Sequence, residues 1–287
     1  MHTLKEFAFT LILALQFFSR LPLAITVYST IRQTQILNYL PLVGLIFGFL
    51  MVGIFALVIQ FINLFIASGI AWWQQLGVNE FAFLVLLVSV WLSGALHLDG
   101  VADSADAALG SINQPEKALQ IMHDSRIGTG AAVALTMLLL GKWLFLSAIF
   151  VKLFSPLDDT LFMQGLVMLM LIPFLARLMP LCLSQGAVIA SQTESHRNMF
   201  TAVKSSTLLT YVVFFSSLVL LAFLVSQSLF TVVFAALALL SLAVLALWLR
   251  SFANKLLGGI NGDIAGLSIE LSELLLLFVL LMVLRVF

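Results

Sequence analysis

The sequence predicts an all-α, polytopic integral membrane helical bundle of about seven transmembrane helices, and three features of its composition lead to this prediction. Of the 287 residues, 62% are apolar and only 9% are charged, and the 13 basic residues balance the 13 acidic ones. The mean hydropathy is +1.18. Soluble domains carry about 25% charged residues, so a soluble fold could not bury this much apolar surface. We expect a single integral membrane domain over residues 1–287, in contact with the lipid bilayer along most of its length.

Apolar stretches with few or no charged residues locate the predicted spans. They cover residues 36–66, 81–97, 127–150, 161–183 and 263–287, together with two helices inside 205–249 that are divided at Ser226-Gln227-Ser228. Pro173 and Pro180 are expected to bend the helix that contains them. The apolar stretch at residues 7–18 is too short to cross a bilayer, which predicts a short interfacial or re-entrant N-terminal helix. No small-residue cleavage site follows it, so we expect no cleaved signal peptide.

The connections between these spans fall alternately on two sides, and their basic residues are unevenly divided. One side carries Arg20, Arg32, Lys117, Arg126, Arg197, Lys204, Arg250 and Lys255, and the other carries Lys152 and Arg285. Because short cytoplasmic loops are enriched in Lys and Arg, the first side is predicted to face the cytoplasm of a prokaryotic inner membrane. The zero net charge and the lack of a basic run exclude a nucleic-acid partner. A single cysteine, Cys182, excludes a disulfide framework and a cysteine-based zinc site.

The first polar motif is HLDGVADSAD at residues 97–106. On a helix, Asp99, Asp103 and Asp106 lie within about 60° of one another. Three carboxylates on one stripe repel each other and favour a bound cation. Oxygen ligands at this density suit Mg²⁺ or Mn²⁺, and Mg²⁺ usually shares its coordination with substrate phosphates. The alternative is a solvated acidic loop. His97 is a candidate general base, or else a hydrogen-bonding group beside the aspartates.

The second motif is MHDSRIGTG at residues 122–130. Asp124 could complete a metal site with the three aspartates, and Arg126 offers a planar donor fork to phosphate. Ser125, Gly128 and Thr129 lie where the next helix is predicted to begin, and the N–H groups of a helix N-terminus favour anions. The alternative is an ordinary helix cap with an arginine that extends into water.

The third motif begins with the glycine-rich loop KLLGGINGD at residues 255–263 and continues into the last predicted helix. Its candidate ligand-binding residues are Lys255, Gly258, Gly259, Asp263, Glu270 and Glu273. Glycines allow a ligand to approach the backbone closely. The three carboxylates lie within about 80° on one helical face, and an ionisable residue inside a span is by default a functional hypothesis.

Two further charged residues lie inside predicted spans. Arg177, between the two prolines, is predicted either to bind phosphate or to pair with a carboxylate. Lys142 is expected to extend its amine toward the membrane surface.

These motifs resemble the cobalamin synthase family, the adenosylcobinamide-GDP ribazoletransferases. Residues 97–106 resemble the family's HxDGxADxxD signature, and residues 122–129 its MxDSRIGT block. Residues 257–263 with Glu270 and Glu273 resemble its C-terminal GGxxGD…E..E block, and residues 41–44 a weaker PLVG element. The specific blocks lie in the family's order, and the general pattern extends over the full length.

The resemblance implies that adenosylcobinamide-GDP reacts with α-ribazole or α-ribazole 5′-phosphate to give adenosylcobalamin or its 5′-phosphate and GMP. It implies a Mg²⁺-dependent phosphotransferase with Asp99, Asp103, Asp106 and Asp124 as metal ligands and Arg126 on phosphate. One of these aspartates or His97 would accept the proton of the attacking hydroxyl. Whether the chain forms homo-oligomers, or associates with other cobalamin-assembly enzymes, stays open.

Three other functions fit some of the same residues. A CDP-alcohol phosphotransferase also carries aligned aspartates after an Asp-Gly pair, but its pattern has an Ala-Arg element where this chain has Val101-Ala102-Asp103. A polyprenyl transferase would lack the DSRIGT block. A cation-coupled transporter would concentrate its carboxylates at the bilayer midplane, whereas most of them here lie at one predicted membrane surface.

Overall fold

The computed structural model describes residues 2–23, 30–67, 77–112, 114–154, 159–190 and 193–287, and these are almost entirely helical. A 3₁₀ helix, Ile36–Tyr39, precedes α3. The helices are α1 His2–Phe18, α2 Thr30–Gln35, α3 Leu40–Ala67, α4 Val78–Ser93, α5 Leu96–Ser111, α6 Pro115–Met122, α7 Thr129–Leu153, α8 Asp159–Ala176, α9 Met179–Ser184, α10 Glu194–Thr201, α11 Ser205–Ser226, α12 Leu229–Leu257 and α13 Gly262–Val286.

The helices confirm the predicted fold class. Within the described ranges, six segments are long and apolar enough to cross a membrane: Arg32–Ile54, Thr129–Leu153, Asp159–Ser184, Ser205–Ser226, Leu229–Leu257 and Gly262–Val286. The bent pair of α4 and α5 would be a seventh. The N-terminal helix α1 has 17 residues and is not among the candidate spans, in keeping with its short apolar stretch.

The predicted span at residues 81–97 is wrong at its C-terminal end. The helix α4 ends at Ser93, because Gly94 (φ 61°) and Ala95 (φ 59°) both adopt the left-handed conformation, which a helix cannot continue through. The chain then turns by 88° into α5. His97 therefore lies in the first turn of the helix that carries the aspartates, and not at the end of the span before it.

The helix that contains the two prolines is interrupted between them, and the predicted bend stays a prediction. Pro173 lies inside α8, which ends at Ala176, and Pro180 lies in the first turn of α9. The break between the two helices falls at Arg177, which is only 2% exposed. The break thus lies at a cationic residue in the interior of the bundle.

The last helix, α13, is the centre of the bundle. It packs against α5, α7, α8, α9 and α12, and its buried residues occur on nearly every side of the helix. Such a helix can carry functional groups on several faces, because each face meets a different neighbour.

Candidate active site

The helix α5 presents the three aspartates of the first motif on one side of an open cavity. Asp99, Asp103 and Asp106 all line this cavity of about 520 Å³, which we call the acidic cavity. The loop between α6 and α7 closes the other side with His123, Asp124, Ser125 and Arg126. The structure therefore brings together the first two sequence motifs, although 17 residues separate Asp106 from Asp124 in the chain.

Asp106 also serves as the N-terminal cap of α7. The backbone N–H of Gly128 donates to its Oδ2 at 2.6 Å, and the N–H of Ala131 donates to its Oδ1 at 2.9 Å. A carboxylate at this position satisfies N–H groups that a helix leaves unpaired, and it interacts favourably with the helix dipole. The predicted anion site at the start of α7 is thus filled by a side chain of the protein, and the role of Asp106 in metal binding stays a prediction.

Asp124 and Arg126 form an ion pair at the rim of the acidic cavity. Arg126 Nη2 lies 2.5 Å from Asp124 Oδ2, and Arg126 Nε lies 3.0 Å from Oδ1. These hydrogen bonds from Arg126 lower the pKa of Asp124 to about 2. The Arg126 side chain is 87% exposed, and exposed ion pairs contribute little to stability. An incoming phosphate can therefore compete for the guanidinium at small cost.

The fourth aspartate of the cluster comes from α13. Asp263 is an electrostatic neighbour of Asp99 and Asp103. A Cβ at Gly100 would lie only 2.5 Å from the carbonyl oxygen of Asp263, so glycine allows α5 to touch the start of α13. Gly266, one turn further along α13, lies against the backbone of His97 in the same way. The two glycines set the crossing that joins the third motif to the first.

Asn261 fixes the first turn of α13. Its Oδ1 accepts the N–H of Ile264 at 3.0 Å, and its Nδ2 donates to Asp263 Oδ2 at 2.8 Å. The sequence analysis did not select Asn261. An asparagine two residues before an aspartate at a predicted helix start is a recognisable N-cap signal and could have indicated this role.

Glu270 and Glu273 lie in the interior of the bundle and form a cluster with two cations, which we call the buried charge cluster. Lys142 Nζ lies 2.6 Å from Glu270 Oε2 and 2.7 Å from Glu273 Oε2, and Arg177 Nη1 lies 3.0 Å from Glu273 Oε1. All four residues are 9% exposed or less. The predicted surface-seeking role of Lys142 is wrong, because two carboxylates hold its amine inside the bundle. Of the two roles predicted for Arg177, the structure confirms the ion pair with a carboxylate, that of Glu273.

The glycine-rich loop lies outside the acidic cavity. Gly258 ends α12 with φ 73°, and a Cβ at Gly259 would lie 2.4 Å from the carbonyl oxygen of Val188. Ile260 pairs with Ile189 in an isolated parallel β-bridge. The backbone conformation at Gly258 and the close contact at Gly259 explain structurally why these two positions are glycine. The binding roles of Lys255, Gly258, Gly259, Glu270 and Glu273 stay predictions.

Two further predicted residues belong to the second motif. Ser125 lines the acidic cavity, whereas Thr129 is the first residue of α7.

The sequence-predicted aspartates do not by themselves form a closed metal site. Across the described residues, no three His, Cys, Asp or Glu side chains converge on a position suited to a metal ion. Two of the four predicted ligands, Asp106 and Asp124, are engaged by N–H groups and by Arg126. In the same described ranges, no hydrogen bond or ion pair occupies the carboxylates of Asp99 and Asp103.

Comparison with known proteins identifies the family. The family described as cobalamin-5-phosphate synthase matches residues 10–281. A Vibrio cholerae serotype O1 protein named adenosylcobinamide-GDP ribazoletransferase is 32% identical over 272 residues, which cover 94% of this chain and 92% of that protein. A protein of the same name from Pseudomonas putida strain F1 is 36% identical over 91% of this chain and 94% of its own length. No solved structure matches the chain. The chain belongs to the cobalamin-5-phosphate synthase family, and it is a membrane-embedded transferase of cobalamin biosynthesis.

Proposed function

We propose that this enzyme transfers the adenosylcobinamide-phosphate moiety of adenosylcobinamide-GDP to α-ribazole or α-ribazole 5′-phosphate and releases GMP. The observation that carries the proposal is the acidic cavity of about 520 Å³, in which the three aspartates of α5 lie opposite the loop that carries Asp124 and Arg126. The names of the relatives supply the two substrates. A diphosphate that joins a cobinamide arm to guanosine is the kind of substrate that such a cavity can bind.

The donor set of the acidic cavity fits Mg²⁺. This ion is usually bound by one or two protein carboxylates together with substrate phosphates and water, rather than by a cage of protein ligands. Asp99 and Asp103, one helical turn apart on α5, line the cavity and would hold it. The bound ion would neutralise charge on the diphosphate of the substrate.

The chain's own residues supply binding and alignment. Arg126 can exchange Asp124 for the phosphate of the departing GMP, since a guanidinium binds either group through two parallel N–H donors. Asp106 holds the start of α7 against α5 and so fixes the loop that carries Arg126. Phosphoryl transfer depends mainly on such positioning and on electrostatic stabilisation.

The proposed reaction forms one bond to phosphorus and breaks another. The ribazole hydroxyl oxygen bonds to the phosphorus next to the cobinamide arm, and the bond from that phosphorus to the bridging oxygen breaks. GMP leaves with the bridging oxygen and its electron pair. The hydroxyl proton passes to one of the unpaired carboxylates or to His97.

We also propose that the acidic cavity faces the cytoplasm. The loop that carries Arg126 belongs to the side that is richer in Lys and Arg, which supports a cytoplasmic position under the positive-inside rule. Cytoplasmic nucleotides would then reach the cavity without crossing the membrane.

The test uses the purified chain in nanodiscs with adenosylcobinamide-GDP, α-ribazole 5′-phosphate and Mg²⁺, followed by chromatography. We expect GMP and the cobalamin product in equal amounts, and no product after addition of EDTA. A folded protein that forms neither product would overturn the proposal. Product formation that persists in EDTA would overturn the Mg²⁺ assignment alone.

A further inference from the structure

A second cavity, of about 180 Å³, adjoins the aspartates from the other side of α5. Its walls are mostly aromatic and aliphatic, so we call it the aromatic cavity. The polar side chains of His97, Asp99, His196 and Asp263 line part of it, and the larger apolar part includes Phe17, Phe18, Leu37, Leu40, Met199 and Phe200. These apolar side chains come from α1, the 3₁₀ helix, the start of α3 and α10, which are far apart in the chain.

His97 lines this cavity and has no partner. It is 3% exposed, and neither Nδ1 nor Nε2 forms a hydrogen bond in the described part of the chain. Buried polar side chains are nearly always hydrogen-bonded, because an unsatisfied one loses the water it would otherwise bind. A neutral histidine offers one donor and one acceptor. The cavity therefore combines a largely apolar lining with a buried imidazole that can form a hydrogen bond with a ligand.

Asp99 connects the two cavities. It is the one residue, among those described, that lines both the acidic and the aromatic cavity. In phosphoryl transfer, the attacking and leaving oxygens lie roughly in line on opposite sides of the phosphorus. If the diphosphate occupies the acidic cavity, the attacking hydroxyl must approach the phosphorus from the side opposite the leaving oxygen. The aromatic cavity meets the acidic cavity at Asp99 and can supply that approach.

We infer that the aromatic cavity binds the base of the second substrate, the dimethylated benzimidazole of α-ribazole. This inference rests on the proposed function. The aromatic ring lies among Phe18, Met199 and Phe200, and an N–H of His97 donates to the unsubstituted ring nitrogen of the base. The ribose then extends toward Asp99, where its hydroxyl meets the phosphorus.

The size and position of the cavity favour this base over the guanine of the other substrate. Pockets that enclose a drug-sized ligand measure about 300–1,000 Å³, so a cavity of about 180 Å³ holds a ring system and leaves the sugar outside. The guanine belongs to the leaving group, which the proposed function places with Arg126 in the acidic cavity. The two methyl groups of the benzimidazole would contact the aromatic and aliphatic side chains of the aromatic cavity.

The test measures the two Michaelis constants separately in purified Phe200→Leu and His97→Phe variants. We expect the KM for α-ribazole to rise by about tenfold or more in each, because Phe200→Leu removes a stacking contact and His97→Phe removes a buried hydrogen bond. The KM for adenosylcobinamide-GDP should stay within about twofold of its original value. Phe215→Leu is the matched control, since Phe215 is fully buried in α11 and does not line either cavity.

A direct binding measurement separates this inference from the proposed function. Titration of the chain with α-ribazole alone, by calorimetry without the second substrate, should show weaker binding in Phe200→Leu than in Phe215→Leu. An active enzyme in which both KM values rise together, or only the KM for adenosylcobinamide-GDP rises, would overturn the aromatic cavity as the ribazole site. An unmodified enzyme that binds neither substrate and forms no product would instead overturn the proposed function.

Discussion

The helix α13 contributes carboxylates to two charged regions, which differ in whether cations pair with those carboxylates. In the buried charge cluster, Lys142 and Arg177 balance Glu270 and Glu273 through contacts of 2.6–3.0 Å. Beside the acidic cavity, Asp263 is an electrostatic neighbour of Asp99 and Asp103, and no ion pair is found for these three carboxylates within the described residues.

This difference distinguishes a structural use of charge from a functional one. Charges inside a bundle must be paired, because transfer of an unpaired ion into a low-dielectric interior is costly. In the buried charge cluster, each of the four residues pairs with at least one of opposite charge. The aspartates of the acidic cavity repel one another, and they are stabilised only when a cation joins them.

The sharpest test of the comparison is Asp103→Asn. This variant keeps the size of the side chain but removes a charge that we propose holds Mg²⁺. We expect turnover to fall below detection while the melting temperature in detergent is unchanged or rises, because one repulsive carboxylate has been removed. An active Asp103→Asn enzyme would contradict the assignment of Asp103 as a metal ligand.

Lys142→Met should have the opposite outcome, with a large loss of stability. The substitution leaves two buried carboxylates with only Arg177 to balance them, and breaking a buried ion pair typically costs about 3–5 kcal/mol. The measurement is unfolding of the detergent-solubilised protein by heat or denaturant. Addition of Glu270→Gln to Lys142→Met should recover part of the loss, because it removes one uncompensated charge.

Lys152→Met, near the end of the same helix α7, is the control for Lys142→Met. It removes the same chemical group from a position outside the buried charge cluster and should change stability far less. Equal losses in the two variants would show that the buried ion pairs do not stabilise the bundle.

Gly100→Ala tests whether the contact between α5 and α13 positions the acidic cavity. A Cβ there would lie 2.5 Å from a backbone oxygen of Asp263, so the two helices must separate. Small displacements of catalytic groups can reduce the rate by about 100-fold, and we expect a fall in kcat of that order.

Gly53→Ala, on α3, is the matched control for Gly100→Ala. A Cβ at Gly53 meets no described atom within 4 Å. We expect its activity to match that of the unmodified enzyme. A Gly100→Ala enzyme that is equally active would show that the position of Asp263 is not important for turnover.

Arg126→Ala should give the smallest effect of the series. Loss of a charge-assisted hydrogen bond to phosphate predicts a rise of about tenfold or more in the KM for adenosylcobinamide-GDP. Arg126→Lys keeps the charge but loses the planar fork, so its KM for adenosylcobinamide-GDP should lie between those of Arg126→Ala and the unmodified enzyme. If Arg126→Ala leaves that KM unchanged, Arg126 does not bind the diphosphate.

The local parts of the site could be predicted from the sequence. Residues spaced like Asp99, Asp103 and Asp106 lie on one face of a helix, and in the structure all three belong to α5. The division at Ser226-Gln227-Ser228 into α11 and α12 was also correct, since polar residues interrupt an otherwise apolar run. Both features depend on residues that are close in sequence.

The pairings between distant residues could not be predicted. Lys142 and Glu273 are 131 positions apart, and only the packing of α7 against α13 shows that they meet. The capping of α7 by Asp106 likewise depends on a contact across 22 positions. Helical periodicity indicates which face of a helix is polar, but it does not indicate which other helix covers that face.

The sharp turn after α4 has a consequence for the surrounding lipid. With 16 residues, α4 is about 24 Å long at about 1.5 Å per residue, whereas the hydrocarbon core of a bilayer is about 30 Å thick. A short hydrophobic segment is accommodated by local thinning of the bilayer. The entrance to the acidic cavity should then lie at the bottom of a depression in the membrane surface, and turnover should fall as the acyl chains of the nanodisc lipids are lengthened.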